Sequence, residues 1–374
     1  MAAWKSRIFR ISRSSILITV LAFSMEIHFL HLYIGVRYPS VHSICPFGGL
    51  ENLWAFAGGR VNIPKVFSGT MALFFLTVLF SVIFKRAFCG NICPLGALQD
   101  IFGRLYYKKF KVPAKIDKYL LYLKYAVLVL STFMAWFTMT LWISPYDPWA
   151  AFAHIASGTE MFHEYSVGTF ILFAVIALSV FSKRPFCKYL CPAGALYGIT
   201  GKISPSFIER FPDKCINCGL CSKKCPVDIS VHTSEKIKTA ECISCSVCVD
   251  VCPQPLVMIA PKIGSFIIRP LSFLLLSVSV FFGSILALDA AGLYQVAIPT
   301  VQEVINNSSY IRVSDLRGSM SIEAGAFYTG MELSAFYELM EIPQSIPKDT
   351  AMKNINQFKP DYDFHVMKAK KGSY

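Results

Sequence analysis

The stretch Ser81-Val-Ile-Phe-Lys-Arg-Ala-Phe-Cys-Gly-Asn-Ile-Cys-Pro-Leu-Gly-Ala-Leu98 recurs 98 residues later as Ser179-Val-Phe-Ser-Lys-Arg-Pro-Phe-Cys-Lys-Tyr-Leu-Cys-Pro-Ala-Gly-Ala-Leu196. Self-similarity at a fixed offset marks a duplicated structural unit. Each copy follows an apolar run and a basic pair, Lys85-Arg86 or Lys183-Arg184. The likeness extends upstream, where Cys45-Pro-Phe-Gly-Gly-Leu-Glu-Asn-Leu-Trp54 roughly matches Ser144-Pro-Tyr-Asp-Pro-Trp149. The unit is therefore a pair of spans with its outer loop. Two copies running in the same direction predict a pseudo-two-fold axis along a membrane normal. Four helices packed about that axis bring both Cys-x-x-x-Cys-Pro motifs together at the inner surface.

Composition agrees with spans. Of 374 residues 54% are hydrophobic, 16% are charged and 31 are Phe, too little polar surface for an ordinary soluble domain. Five segments can cross a hydrocarbon core of about 30 Å: Ser14 to Val36, Ser68 to Phe84, Tyr119 to Ile143, Tyr165 to Phe181 and Ile268 to Leu288. With the N-terminus inside, the inner segments carry 24 Lys/Arg against 8 Asp/Glu, and the outer ones 11 against 14. The positive-inside rule selects this orientation. The first apolar run is too long for a signal peptide and no small-x-small cleavage site follows it, so it reads as a retained anchor. The net charge of +13 thus reports topology and gives no support to a nucleic-acid partner.

Between the fourth and fifth segments lie Cys215-Ile-Asn-Cys218-Gly-Leu-Cys221-Ser-Lys-Lys-Cys225-Pro and Cys242-Ile-Ser-Cys245-Ser-Val-Cys248-Val-Asp-Val-Cys252-Pro. Each is C-x2-C-x2-C-x3-C-P, the bacterial two-cluster spacing, in which the fourth Cys ligates the other cluster. One [4Fe-4S] cluster is expected on Cys215, Cys218, Cys221 and Cys252, the other on Cys242, Cys245, Cys248 and Cys225. Zinc needs only two C-x2-C pairs and leaves half of these cysteines without a role. A small unit wrapped around two cubes should unfold without iron.

Of the thirteen cysteines, eight belong to these runs, four to the repeats, and Cys45 stands alone. Cys89, Cys93, Cys187 and Cys191 form one candidate site at the inner ends of the second and fourth spans. Two readings stay open there, a third cluster on all four or a redox-active dithiol arrangement beside a quinone. The basic pairs before each motif lower thiol pKa and offset thiolate charge. Glu26, His28 and His31, in the outer half of the first span, are candidates for a proton or quinone site, because intramembrane ionisable groups are costly. Cys45, with His42 and Glu51, is expected in an outer loop near the membrane surface, as a buried small residue before Pro.

Residues 14 to 260 resemble the NapH/NosR-type membrane polyferredoxin family. The likeness rests on the Cys-Pro-Phe-Gly-Gly-Leu-Glu loop, the two Phe-Cys-x-x-x-Cys-Pro repeats and the two-cluster ferredoxin. It implies membrane electron transfer with both motif classes facing the cytoplasm. No flavin-binding outer domain is expected before the first span, a departure from the nitrous-oxide regulator. The sequence departs from the oxidase accessory proteins in a tail that does not read as an immunoglobulin-like sandwich.

The expected architecture is an α-helical five-span membrane protein. It comprises a four-span domain (1–205), a cytoplasmic 2[4Fe-4S] ferredoxin unit (206–260), a fifth span (261–290) and a small helical extracytoplasmic tail (291–374). Three short helices are expected in the tail, which is net acidic and suits docking of an extracytoplasmic partner. The expected role is that of an electron-transfer subunit rather than a stand-alone enzyme. Electrons would pass between the quinone pool, or a membrane partner, and the two clusters, with a redox protein or extracytoplasmic reductase as partner. The alternative is an accessory or redox-sensing protein that supplies reductant for maturation of a metalloenzyme. No Gly-rich nucleotide motif of the usual types is present.

Overall fold

The computed structural model describes residues 2–33, 44–57, 68–106, 109–110, 112–157, 161–162, 165–294, 310, 312–313, 316, 318 and 320–371. The long first helix, α1, covers Ala2–Tyr33. The first repeat contributes α2 (Pro46–Ala57), α3 (Ser68–Phe84), α4 (Ala87–Asn91) and α5 (Pro94–Phe102). After α6 (Ala114–Thr138), the second repeat gives α7 (Pro148–Ala153), α8 (Ser166–Phe181), α9 (Pro185–Tyr189) and α10 (Pro192–Thr200). Pro opens α5, α7, α9 and α10 at their first turn, where its missing N–H costs nothing.

Three helices are long and apolar enough to cross a membrane, at Arg7–Leu30, Lys115–Thr138 and Pro270–Ala290. The apolar helices α3 and α8 have 17 and 16 residues, just below the full-span length of about 20. Outward rings match a lipid-facing surface, with Phe137 of α6 and Phe170 of α8 more than 70% exposed.

The outer loops of both repeats fold back into the bundle. Helix α2 packs on α3 and α6, and α7 packs on α8. Gly49 permits the first approach, since a Cβ there would lie 2.4 Å from Phe74 Cβ. Cys45, expected as a buried small residue before Pro, is half-buried here and packs on the Phe47, Leu50 and Phe74 cluster that also takes Ala193 and Leu196, just past the second motif. The apolar face of α2 buries better against the bundle than in a loop.

The ferredoxin unit is a four-stranded antiparallel sheet, β1 (Ser206–Arg210), β2 (Lys236–Ile237), β3 (Ile259–Ile263) and β4 (Phe266–Ile267), in the order β2-β1-β3-β4. Ile208 pairs with Ile237 on one side and Pro261 on the other. Short helices α11 (Leu220–Lys223) and α12 (Val247–Asp250) follow the second Cys of each run. The last apolar helix, α13, covers Pro270–Ala290. Beyond it, α14 (Ile322–Thr329), α15 (Leu333–Leu339) and α16 (Phe364–Lys371), with a 3-10 turn at Met352–Gln357, build a separate core on Leu316, Ile322, Phe336, Met340 and Ile355. Ser321 caps α14 by accepting from Ala324 N–H at 3.1 Å, and Gly330 ends it at φ +69°.

Candidate iron-sulfur site

The two cysteine runs adopt the same backbone course. In each, the residue before the second Cys and the residue after it have positive φ: Asn217 (51°) and Gly219 (70°), then Ser244 (48°) and Ser246 (56°). Alternation of right- and left-handed conformations turns successive N–H groups toward one concave side, a cradle for anions and for iron-sulfur centres. Backbone N–H groups favour the thiolates: Asn217 at Cys215, Val247 at Cys245, Gln254 at Cys252, and Ile229 and Val227 at Cys225.

Two hollows result. One is faced by Cys215, Cys218, Cys221 and Cys252. The other is faced by Cys225, Cys242, Cys245 and Cys248. The fourth Cys of each run thus faces the hollow of the other run. Among the described residues no trio of His, Cys, Asp or Glu closes on a single ion position. Quartets set around a hollow suit a cube.

The hollows differ in environment. Cys218 is exposed, whereas Cys225, Cys242, Cys245 and Cys248 are all buried. Burial first, then neighbouring Cys245, pushes the Cys225 thiol up to about 12. Such thiols ionise when a metal centre supplies positive charge, as iron does. Cys215 is held below its usual range first by the Asn217 N–H, against the opposing effect of burial, with Arg210 adding to the lowering.

The repeat motifs form a third quartet. Cys93 and Cys191 are the N-caps of α5 and α10. The Cys191 sulfur accepts from Gly194 N–H at 3.3 Å, whereas the Cys93 side chain makes no cap bond. The positive end of a helix thus meets each sulfur. Burial and then the charges of Cys187 and Cys89 raise both thiols, so the four sulfurs lie within one another's electrostatic range. Gln99 ties the halves together: its Nε2 donates to Cys187 Sγ at 3.0 Å, and its Oε1 accepts from Phe186 N–H at 3.2 Å.

A buried charge network surrounds this quartet. Asp100 takes a bidentate bond from Arg184 (2.7 and 2.6 Å) and a third from Arg13 (3.0 Å). Burial raises the Asp100 carboxyl, but Arg184 and Arg13 outweigh it and hold the group down at about 2. Asn91, between the first two motif cysteines, is 1% exposed, and neither polar atom of its amide has a partner among the described residues. Orphaned donors beside thiols fit a group that accepts hydrogen bonds, such as cluster sulfide.

The third quartet adjoins the buried hollow. Cys89, Cys225, Cys245, Ile243 and Tyr197 share one packed cluster. Gly90 makes the contact possible, because a Cβ there would fall 2.2 Å from the Ile243 carbonyl oxygen. Ion pairs fasten the ferredoxin unit to the helices: Glu241 with Lys124 and with Arg86 (3.5 Å), Asp250 with Arg10 (3.0 Å), and Asp228 with Lys183 (3.1 Å). Asp100, Gln99, Arg13 and Glu241 were not among the expected site residues. Each acts on a partner more than 80 residues away, which no local motif announces.

The expected proton or quinone residues separate. Glu26 is exposed on α1 and His28 is buried, while the side chains of His31 and His42 lie outside the described residues. The His28 ring meets His154 at 4.4 Å between centroids, and His154 meets Tyr165 at 4.4 Å. His154 Nδ1 lies 2.8 Å from the Ala150 carbonyl, so that nitrogen carries a proton and donates. Glu51 is buried in α2, accepting from Ile143 N–H at 3.1 Å.

A family model described as "4Fe-4S binding domain" matches residues 69–113 and again 167–210, one copy per repeat. A second, "4Fe-4S dicluster domain", matches residues 207–253. YccM of Escherichia coli, whose name assigns it provisionally to electron transport, is 31% identical over 208 residues, covering 52% of this chain and 56% of that protein. An uncharacterised protein of Methanocaldococcus jannaschii is 33% identical over 172 residues, 44% of this chain and 67% of that one. The ferredoxin-type protein NapH of Escherichia coli is 25% identical over 183 residues, 47% and 59% of the two chains. The chain thus spans a little over half to two thirds of the length of these curated relatives. No solved structure matches. Duplicated and dicluster iron-sulfur matches, apolar helices and these relatives agree: the chain belongs to the NapH/NosR-type membrane polyferredoxin family.

Proposed function

We propose that this chain is a five-span electron-transfer subunit of the cytoplasmic membrane that carries three [4Fe-4S] clusters in a line. Cys215, Cys218, Cys221 and Cys252 hold the exposed cluster, and Cys225, Cys242, Cys245 and Cys248 the buried one. Cys89, Cys93, Cys187 and Cys191 hold the third. The observation that carries the reading is the packing of Cys89 against Cys225 and Cys245, which leaves no gap between the repeat quartet and the ferredoxin unit. The clusters supply one-electron chemistry; the protein sets their order, covers two of them, and balances their negative charge with Arg86 and Arg184.

The charge asymmetry favours the N-terminus and ferredoxin unit on the cytoplasmic side and the module of residues 291–374 outside. His28 lies 15 residues beyond Arg13 on α1, about 22 Å along the helix from the Arg13 contact with the first motif. A quinol headgroup met there by His28 and His154 would deliver electrons toward the repeat quartet along α7. Trp149 and Cys93 pack on a common apolar cluster in that direction.

The test is metal analysis and redox titration of the full chain in lipid nanodiscs. Changing Cys89, Cys93, Cys187 and Cys191 to Ser should remove about one third of the bound iron. Unchanged iron excludes the third cluster. A quinol analogue should reduce the clusters in the parent protein; clusters reducible by dithionite alone would exclude the quinone link.

A further inference from the structure

The ferredoxin unit turns four of its six acidic side chains to the membrane domain and to its own sheet, and carries three of its lysines next to the exposed quartet. Residues 206–260 hold six acids. Asp228, Glu241 and Asp250 face Lys183, Lys124 with Arg86, and Arg10, and Glu209 faces Lys262 and Lys236 within the sheet. Cys218 is exposed, with Ile216 63% and Leu220 36% exposed beside it. The exposed Lys214, Lys223 and Lys224 flank these residues in the chain, and Arg210 lines the same hollow. An apolar centre with a thiolate quartet beneath it and a rim on which Lys214, Lys223, Lys224 and Arg210 outnumber the exposed Asp213 and Glu235 has the layout of a transient redox interface.

We propose that this face docks a soluble one-electron carrier with an acidic surface, of the ferredoxin or flavodoxin class. The inference rests on the exposed cluster assigned under the proposed function. One electron passes from the reduced carrier to the cluster on Cys215, Cys218, Cys221 and Cys252. No covalent bond forms or breaks and no proton is needed.

The experiment uses the full chain in nanodiscs of zwitterionic or anionic lipid, with a dithionite-reduced acidic two-cluster ferredoxin as probe. Carrier binding is read by surface plasmon resonance and cluster reduction by stopped-flow absorbance. Both should weaken by about tenfold or more between 50 and 300 mM salt, as for steered encounters. The triple variant Lys214→Glu, Lys223→Glu, Lys224→Glu should lose at least about tenfold in each at low salt. Reduction by the small dye methyl viologen, which does not need the face, should be unchanged. A variant that binds and reacts like the parent overturns the docking face. So does an anionic bilayer that slows the parent to the variant's rate, which would assign the lysines to lipid headgroups. If the triple variant lacks dye-reducible clusters, Lys214→Gln with Lys223→Gln is read by the same criteria. Absence of any dye-reducible cluster in the parent would instead overturn the iron-sulfur assignment itself.

Discussion

Arg86 and Arg184, equivalent residues of the two repeats, each donate to the carbonyl of the other repeat's first motif cysteine. Arg86 Nη2 reaches Cys187 O at 3.3 Å, and Arg184 Nη1 reaches Cys89 O at 2.7 Å. The exchange needs space at Gly194 and Gly96, where a Cβ would lie 2.6 Å from Arg86 Nη2 and 2.9 Å from Arg184 Nη1. Crossed pairing locks the two motifs at one separation and brings two fixed positive charges to the four sulfurs. Arginine suits this task because it stays protonated when buried and donates in several directions at once.

Gly90→Ala should separate the repeat quartet from the ferredoxin unit. The new Cβ would meet the Ile243 carbonyl oxygen at 2.2 Å, a backbone atom that cannot swing aside. Overpacking of this kind costs about 1–3 kcal/mol. Thermal unfolding in detergent should shift down, and reduction of the third quartet through the ferredoxin should slow. Gly283→Ala, with nothing within 4 Å, serves as the control and should unfold at the parent temperature or above.

Asp100 should dominate acid sensitivity near the repeat quartet. Its folded pKa of about 2 lies below the unfolded value of about 3.9. The contribution is therefore complete above about pH 4 and is lost as pH falls toward 2, about 2–3 kcal/mol in all. Asp100→Asn should remove that slope from the stability profile between pH 4 and 2. At neutral pH it should cost about 3–5 kcal/mol, because Arg184 and Arg13 stay buried without their carboxylate. A variant with the parent's acid profile would sink this account.

Much of the fold is readable along the chain because its signals are short-range. Cysteine spacing reports loops that wrap a quartet within a few residues, and an apolar run ending at Lys85-Arg86 reports a helix end. What escapes is set by contacts between distant segments. Helix α2 carries twelve residues, apolar but short, and nothing local distinguishes a surface loop from a wedge between α3 and α6. His154 sits in a loop by sequence, yet the fold of α7 sets its ring against His28. Asp100 reads as a helix-surface carboxylate until Arg184 and Arg13 arrive from the other repeat and from α1.

Iron should leave the ferredoxin unit in two phases. The quartet containing the exposed Cys218 is open to a ferrous chelator, while Cys225, Cys242, Cys245 and Cys248 are covered by the repeat motifs. Stopped-flow absorbance with excess chelator under reducing conditions should show a fast loss from the first and a slower loss from the second. Gly90→Ala, which pushes the units apart, should speed the slow phase alone. A single phase in the parent would mean that the two hollows are equally exposed.

Glu241 should prove more costly to change alone than together with its partner. Its carboxylate bonds Lys124, which is 0% exposed in α6, and lies 3.5 Å from Arg86. Removing the acid leaves two buried cations facing each other, and breaking such a pair costs about 3–5 kcal/mol. Glu241→Gln should therefore lower the unfolding temperature sharply and loosen the ferredoxin unit from α6. Adding Lys124→Met removes one stranded cation and fills its place with an apolar side chain of similar length, so the double variant should recover part of the loss. The coupling from this double-mutant cycle should exceed about 1 kcal/mol, as for groups in one buried network. If the effects simply add, Glu241 and Lys124 do not depend on each other, and the latch between the ferredoxin unit and the membrane helices lies with Arg10, Lys183 and their acids instead.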